Sequence, residues 1–347
     1  QKYGITLVVH DPPPHTDAMV TFKPLVEGDN TDATALKRYL RLFREEIRKY
    51  PPAFVRATGL KRIVFVKEIN NQGQTVGAVP DFRGHAVFYD PLRGAATPVY
   101  QRHVVHHEFF HLADYALHGD AFLTDPYWAM LNHPDFRYGS GGRNATGSDQ
   151  FSPTDEHPGF VNLYATSAIE EDRAEIFATT WIPTEAALMR RRAGQRDEVL
   201  RLKIARTRAL VDFYATQPRT AAEQRTRDFF AALRQRNEKR AEELLAEDPS
   251  LAKSTDWLGR TPLHWAAMPK DARRAKWLIA SGTAAGTVDA EGWTPLHVSA
   301  FLGDEAVAEL LLAADADADL KDKRKRTPLD WATTQNQVGM IHLLKSR

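Results

Sequence analysis

The sequence predicts two folds in tandem, an α+β domain over residues 1–220 and an all-α repeat array over 221–347. Three observations lead there. Short apolar segments bounded by Pro, Gly and Asn alternate with amphipathic stretches in the first part, the pattern of a small sheet packed on helices. The second part repeats one seven-residue phrase at a constant period, the mark of a solenoid. Finally, 347 residues with 43% hydrophobic and 26% charged side chains make an ordinary globular chain too long for one core, so two or three packed units are expected.

The strand candidates are Ile5–Val9, Ile63–Val66, Thr75–Val79 and His85–Tyr89. Between them Ala33–Tyr50 places Leu36, Leu40, Phe43 and Ile47 on one stripe, enters from Thr31 or Asp32 and stops at Pro51-Pro52, which predicts an amphipathic helix. Thr97–Leu117 contains no Pro or Gly after Pro98 and is predicted as a second helix. His85–Tyr89, the last strand before it, either forms a sheet edge open to main-chain pairing with a peptide or pairs internally. Residues 119–163 lack periodicity and are expected to border a cleft, with His133 and His157 on the surface. The basic stretch Arg190–Arg208 interleaves with Val199, Leu202, Ala205, Ala209 and Phe213, and reads as a solvated helix face.

Chemistry concentrates in His107-Glu108-Phe109-Phe110-His111. On a helix this places two imidazoles one turn apart with a carboxylate beside them. Neutral imidazole nitrogens hold Zn²⁺ without cancelling its charge, and the carboxylate takes a proton from an activated water. His103 and His106 compete for the ligand roles, but Val104 stands where a base after His103 would be. They are therefore assigned to support or to the surface. A third histidine in the metzincin spacing is excluded, because Asp114 and Leu117 occupy the required Gly and His places. A glutamate from another helix is the remaining common solution, and Tyr164–Ala178 supplies Glu171 and Glu175 four residues apart, with small Ala174 allowing close approach. Glu171 is the candidate ligand, and Glu175 the candidate acceptor for the outer N–H of a ligating histidine. Glu170 and Asp172 are expected to be solvated carboxylates at the helix start.

The phrases HHEFFHLADY and YATSAIEEDRAEIFA resemble bacterial zinc metallopeptidases of the gluzincin group and the protease domain of anthrax lethal factor. The Tyr50–Phe54 and Gly59–Val66 segments resemble the stretch ahead of the catalytic helix in the bacterial group, and the likeness covers roughly residues 30 to 180. It implies a zincin-like fold and peptidase activity with His107, His111 and Glu171 as zinc ligands and Glu108 as base. In that family a tyrosine precedes the glutamate ligand by seven residues and a second glutamate follows it by four. Tyr164, Glu171 and Glu175 match that spacing, which selects Glu171 over Glu170 and gives Tyr164 the role of donor to the oxyanion.

Thr261-Pro-Leu-His-Trp-Ala-Ala267, Thr294-Pro-Leu-His-Val-Ser-Ala300 and Thr327-Pro-Leu-Asp-Trp-Ala-Thr333 recur every 33 residues and resemble ankyrin repeats. Phe229–Leu233 with Leu244–Asp248 looks like a degenerate first unit, giving about four. The last unit carries Lys325 for Gly and Asp330 for His, as a polar cap would, and His264 and His297 are expected to be structural.

A net charge of +1 supplies no field for gathering nucleic acid or an anionic membrane, and no apolar run is long enough to span a bilayer. Cysteine is absent, so disulfides say nothing about compartment. The start at Gln1 rather than Met, together with the resemblance, leads to the expectation of a secreted or periplasmic protein after leader removal. Taken together the sequence predicts a zinc endopeptidase acting on a peptide or protein substrate, its ankyrin repeats recruiting a protein partner or regulating the cleft. The alternative is an ankyrin binding module joined to an idle or structural zinc domain.

Overall fold

Ile63, Val64, Phe65 and Val66 form an unbroken apolar run, and every one of them is buried. Such a run suits a strand covered on both faces. In the computed structural model, which describes residues 2–10, 20–119, 123–139, 157–194, 197–216, 218, 220–268 and 271–346, it lies in the central strand of a mixed sheet. The described strands are β1 (Thr6–Val9), β2 (Val20–Pro24), β3 (Arg62–Asn71), β4 (Gln74–Thr75), β5 (Ala78–Asp81) and β6 (Ala86–Tyr89). Strands β1, β3 and β6 run parallel, and β5 joins β6 antiparallel, in the order β1-β3-β6-β5. Strands β2 and β4 pair antiparallel with the far half of β3.

The edge reading of His85–Tyr89 is thus corrected: β6 is internal, and among the described strands β1 and β5 end the order. All four residues of β6 are fully buried, whereas β5 carries Pro80, whose missing N–H is tolerated at an edge. The Thr75–Val79 strand divides at Gly77, where a Cβ would lie 2.9 Å from the Tyr100 hydroxyl. Strand β2 escapes the sequence pattern because VTFKP buries only Val20 fully and ends in proline.

Helix α1 (Asn30–Ile47) is capped by Asp29, which accepts from the Thr31 and Asp32 amides. Asp32 is instead buried against Lys67, 2.6 Å away. Tyr39 and Phe43 seat α1 on Phe65 and Tyr89 of the sheet. After α2 (Pro52–Ala57) comes the long α3 (Pro98–His118), and α5 (Ile169–Trp181) packs on it through aromatic rings. Phe110 stacks on Phe177 at 4.4 Å, and Tyr50 stacks on Phe109 at 4.8 Å. Helices α6 (Pro183–Gly194) and α7 (Glu198–Ala215) follow.

Helix α7 corrects the reading of the basic stretch. Its inner face is Leu200, Lys203, Ile204, Arg206, Thr207, Leu210 and Val211, so two cations enter the interior while Arg201 and Arg208 stay in water. Lys203 is fully buried because Asp172 and the Gly159 carbonyl receive its ammonium at 2.6 and 2.8 Å.

The chain divides into two compact units, Gln1–Leu117 with Tyr138–Gln217 and His118–Arg137 with Pro218–Arg347. The second contains the single turn α4 (Pro126–Ala129) and four helix pairs among its described residues. These are α8 (Ala221–Arg234) with α9 (Glu238–Glu247), α10 (Pro262–Ala267) with α11 (Ala272–Ala280), α12 (Pro295–Leu302) with α13 (Glu305–Ala313), and α14 (Pro328–Thr334) with α15 (Val338–Lys345). Proline at the first helical position after a capping threonine starts α10, α12 and α14 alike. No described helix is long and apolar enough to cross a membrane. Of the 119–163 segment expected to border the cleft, residues 120–122 and 140–156 lie outside the described residues, and 118–137 belongs to the second unit.

Candidate functional site

Helix periodicity on α3 puts His103, His107 and His111 on one face, and α5 presents Glu171 and Glu175 to it. Ala174, fully buried between the two glutamates, and the Phe110–Phe177 stack hold α3 and α5 together. The Nε2 atoms of His107 and His111 are 2.9 Å apart. Glu171 Oε2 lies 3.1 Å from the first and 3.3 Å from the second. A tetrahedral zinc with ligands at the usual bond length separates its donor atoms by about 3.3 Å. Two imidazole nitrogens and one carboxylate oxygen at these separations fit such an ion, and Glu108, Tyr164 and Glu175 are grouped around them.

Glu175 sits behind His107, with Oε1 3.0 Å from Nδ1. The same oxygen is 3.0 Å from His103 Nε2, and Glu185 faces His103 Nδ1 at 3.1 Å. Asn162 donates to the other Glu175 oxygen at 2.8 Å and accepts from the Ala165 amide at 2.9 Å, so one side chain orients both Glu175 and the turn that begins at Tyr164. His103 is therefore a partner of Glu175, in keeping with a supporting role. His106 is fully buried rather than at the surface: it meets Glu46 at 2.7 Å and the Tyr50 hydroxyl.

Burial lowers the pKa of His103, but the carboxylates on both of its nitrogens outweigh this and raise it to about 9. The same contest, with Glu171 and Glu175 as partners, raises His107. Burial raises Glu171 and Glu175, yet the histidines facing them pull both well below the usual carboxylate range. Such a carboxylate–imidazole arrangement binds a cation, whether a proton or a metal competing with it. Burial lifts Glu108 above its ordinary value, while the charges of His107 and His111 pull it back. Tyr164, half-buried with its ring 6.0 Å from that of His107, is shifted upward by burial and by Glu171, to which its hydroxyl is hydrogen-bonded. It stays a donor.

The expectation of a solvated Asp172 at the start of α5 fails. Asp172 is fully buried, accepting from Lys203 at 2.6 Å and from the Tyr138 hydroxyl at 2.7 Å. Its neighbour Glu170 is half-buried, and burial raises its pKa. Position on the helix explains the difference: residue 172 follows the ligand candidate by one and turns toward α7, a direction the local acidic run does not reveal. Asp114 and Arg173 form a second buried ion pair between α3 and α5. Asn162, Glu185 and the Asp114–Arg173 pair were not legible as site residues, because their partners stand 13 to 82 positions away. His133 is exposed beside Asp135.

In the repeat unit histidine has a different setting. The Thr261 and Thr294 amides donate to Nδ1 of His264 and His297 at 3.0 and 3.1 Å, and Nε2 donates onward to the carbonyls of Trp293 and Arg326. Each ring thus caps its own helix and ties it to the next repeat. Asp330 keeps the capping half of this role, accepting from the Thr327 amide. Gly259, Gly292 and Lys325 share the left-handed conformation. A Cβ at Gly292 would lie 3.0 Å from the Lys323 amide nitrogen.

The sequence over residues 229–322 and 267–347 matches the family described as ankyrin repeats, in three copies. Among curated proteins no match to this chain is found. The region from 229 to 347 consists of ankyrin repeats, a protein-binding module, behind a mixed α/β N-terminal region.

Proposed function

We propose that the chain is a zinc-dependent endopeptidase of the gluzincin type, with a zincin-like N-terminal domain. The observation that carries this reading is the convergence of His107 Nε2, His111 Nε2 and Glu171 Oε2 within 3.3 Å of one another, beside Glu108. These three side chains would hold the ion. Bound there, zinc supplies a Lewis acid that acidifies water and polarises a carbonyl.

The chain's own groups do the rest. Glu175, oriented by Asn162 and His103, lies 3.0 Å from His107 Nδ1 and would fix the tautomer that presents Nε2 to the ion. Glu108, raised by burial, accepts the proton released from the attacking water and returns it to the leaving amine. The Tyr164 hydroxyl, kept protonated, donates to the developing oxyanion. The edge strand β5 offers main-chain groups to which an extended peptide can pair.

Digestion of a peptide library by the full chain and by Glu108→Gln tests the proposal. Cleavage by the wild type, inhibited by a chelator and lowered about a hundredfold to ten-thousandfold in the variant, is expected. Zinc content should stay unchanged. A zinc-loaded wild type that cuts nothing would favour the binding-module reading, in which the metal is idle or structural.

A further inference from the structure

The described residues 123–137 belong to the same compact unit as the repeats. Asp125 caps α4 by accepting from the Tyr127 amide, and Tyr127 is wholly buried. The Arg260 guanidinium lies 4.0 Å over the Tyr127 ring, and the Tyr127 hydroxyl donates to the His264 carbonyl at 3.1 Å. Trp293, which stands at the Arg260 position one 33-residue repeat later, places its ring 6.0 Å from that of Tyr127.

One repeat further, Arg324 donates to the carbonyls of Met130, Leu131 and Asn132 at 3.1, 2.6 and 3.4 Å. Met130 is the C-cap of α4 and Leu131 and Asn132 follow it, so one guanidinium gathers the carbonyls that leave this helix. Finally Arg137 reaches the Thr334 carbonyl at the end of α14, at 3.2 Å. The segment therefore crosses three successive repeats in chain order, contacting their turns and first helices, as a bound peptide would. It brings an aromatic ring to the buried Arg260 and three successive main-chain carbonyls to the half-buried Arg324.

We propose that this face of the array is an intramolecular recognition groove whose ligand is the chain's own Asp125–Arg137 segment, and that the groove is closed to partner proteins while the segment is seated. A tethered ligand is present at high effective concentration, so an identical free peptide competes poorly against it. This inference does not depend on the metal-site reading, whose readouts, zinc content and cleavage, are separate.

The test uses the full-length chain and a fluorescent peptide of sequence Asp125–Arg137. Tyr127→Ala removes the ring from the tethered copy and leaves the groove residues intact. The labelled peptide should bind Tyr127→Ala at least about tenfold more tightly than wild type. In parallel, hydrogen exchange in Arg324→Ala should speed up about tenfold at the amides of Met130, Leu131 and Asn132 and stay unchanged in α12. Equal peptide affinity for wild type and Tyr127→Ala, or no binding to either, would overturn the proposal. If Tyr127→Ala does not fold, the exchange measurement decides, and unaltered exchange at residues 130–132 counts against it.

Discussion

Histidine does opposite work in the two units. In the α3–α5 cluster His103 and His107 face carboxylates, which raise their pKa values against the effect of burial. In the repeats His264 and His297 face backbone amides and carbonyls; burial dominates, pushing His264 down to about 3 and lowering His297. The first setting favours positive charge, since carboxylates face the rings. The second needs a neutral ring with one acceptor and one donor nitrogen. Residue type is shared, and the partners decide the chemistry.

The joints between helices of unit one are open to substitution. Unit one joins α3 to α5 and α5 to α7 with buried ion pairs, Asp114–Arg173 and Lys203–Asp172. Removing one partner leaves the other buried and uncompensated, so Asp114→Ala should cost about 3–5 kcal/mol in a denaturant titration. A loss below about 1 kcal/mol would mean the charge has access to water.

Acid sharpens the comparison. His264 has a folded pKa below its unfolded value, so the stability it contributes is present above about pH 6.5 and is lost as pH falls toward about 3. Between about pH 7 and pH 4.5 this should weaken the repeat unit by about 2–3 kcal/mol. Glu46, raised by burial but held at about 2 by His106 and Lys49, contributes stability to the other unit. That contribution is lost only as pH falls below about 4.5 toward 2. Tryptophan and tyrosine signals, followed by hydrogen exchange in each unit, should show the repeats loosening at the higher pH. Simultaneous loosening would remove the distinction.

Smaller effects follow. Asn162→Ala frees Glu175 from one donor and should weaken zinc binding about 10- to 100-fold while leaving the repeats unaffected. His133→Ala, at an exposed position, should shift stability by no more than about 0.5 kcal/mol and leave zinc affinity alone.

Local pattern carried part of this architecture. The α3 helix is marked by an uninterrupted stretch without Pro or Gly, and the repeats by their period, because both are short-range regularities. The pairing of His107 with His111 and of Glu171 with Glu175 was approachable through spacing, since one helical turn separates each pair on α3 and α5, whereas Tyr164 and the choice of Glu171 over Glu170 came from the resemblance alone. What lay hidden depends on long-range partners. Lys203 sits in a stretch that reads as solvated, and only Asp172, 31 residues away, makes its burial tolerable. The edge position of β5 follows from sheet order rather than from its own residues. The place of residues 118–137 in the repeat unit rests on Arg260 and Arg324, far along the chain, and nothing in the segment itself announces them.

Zinc titration of the full-length chain and of Glu171→Gln probes the α3–α5 cluster itself. One tightly bound zinc per wild-type chain is expected, with affinity at least about 100-fold weaker in the variant, which exchanges a charged ligand for a neutral amide. Equal zinc affinity in the two proteins, or no zinc bound by the wild type, would contradict this expectation.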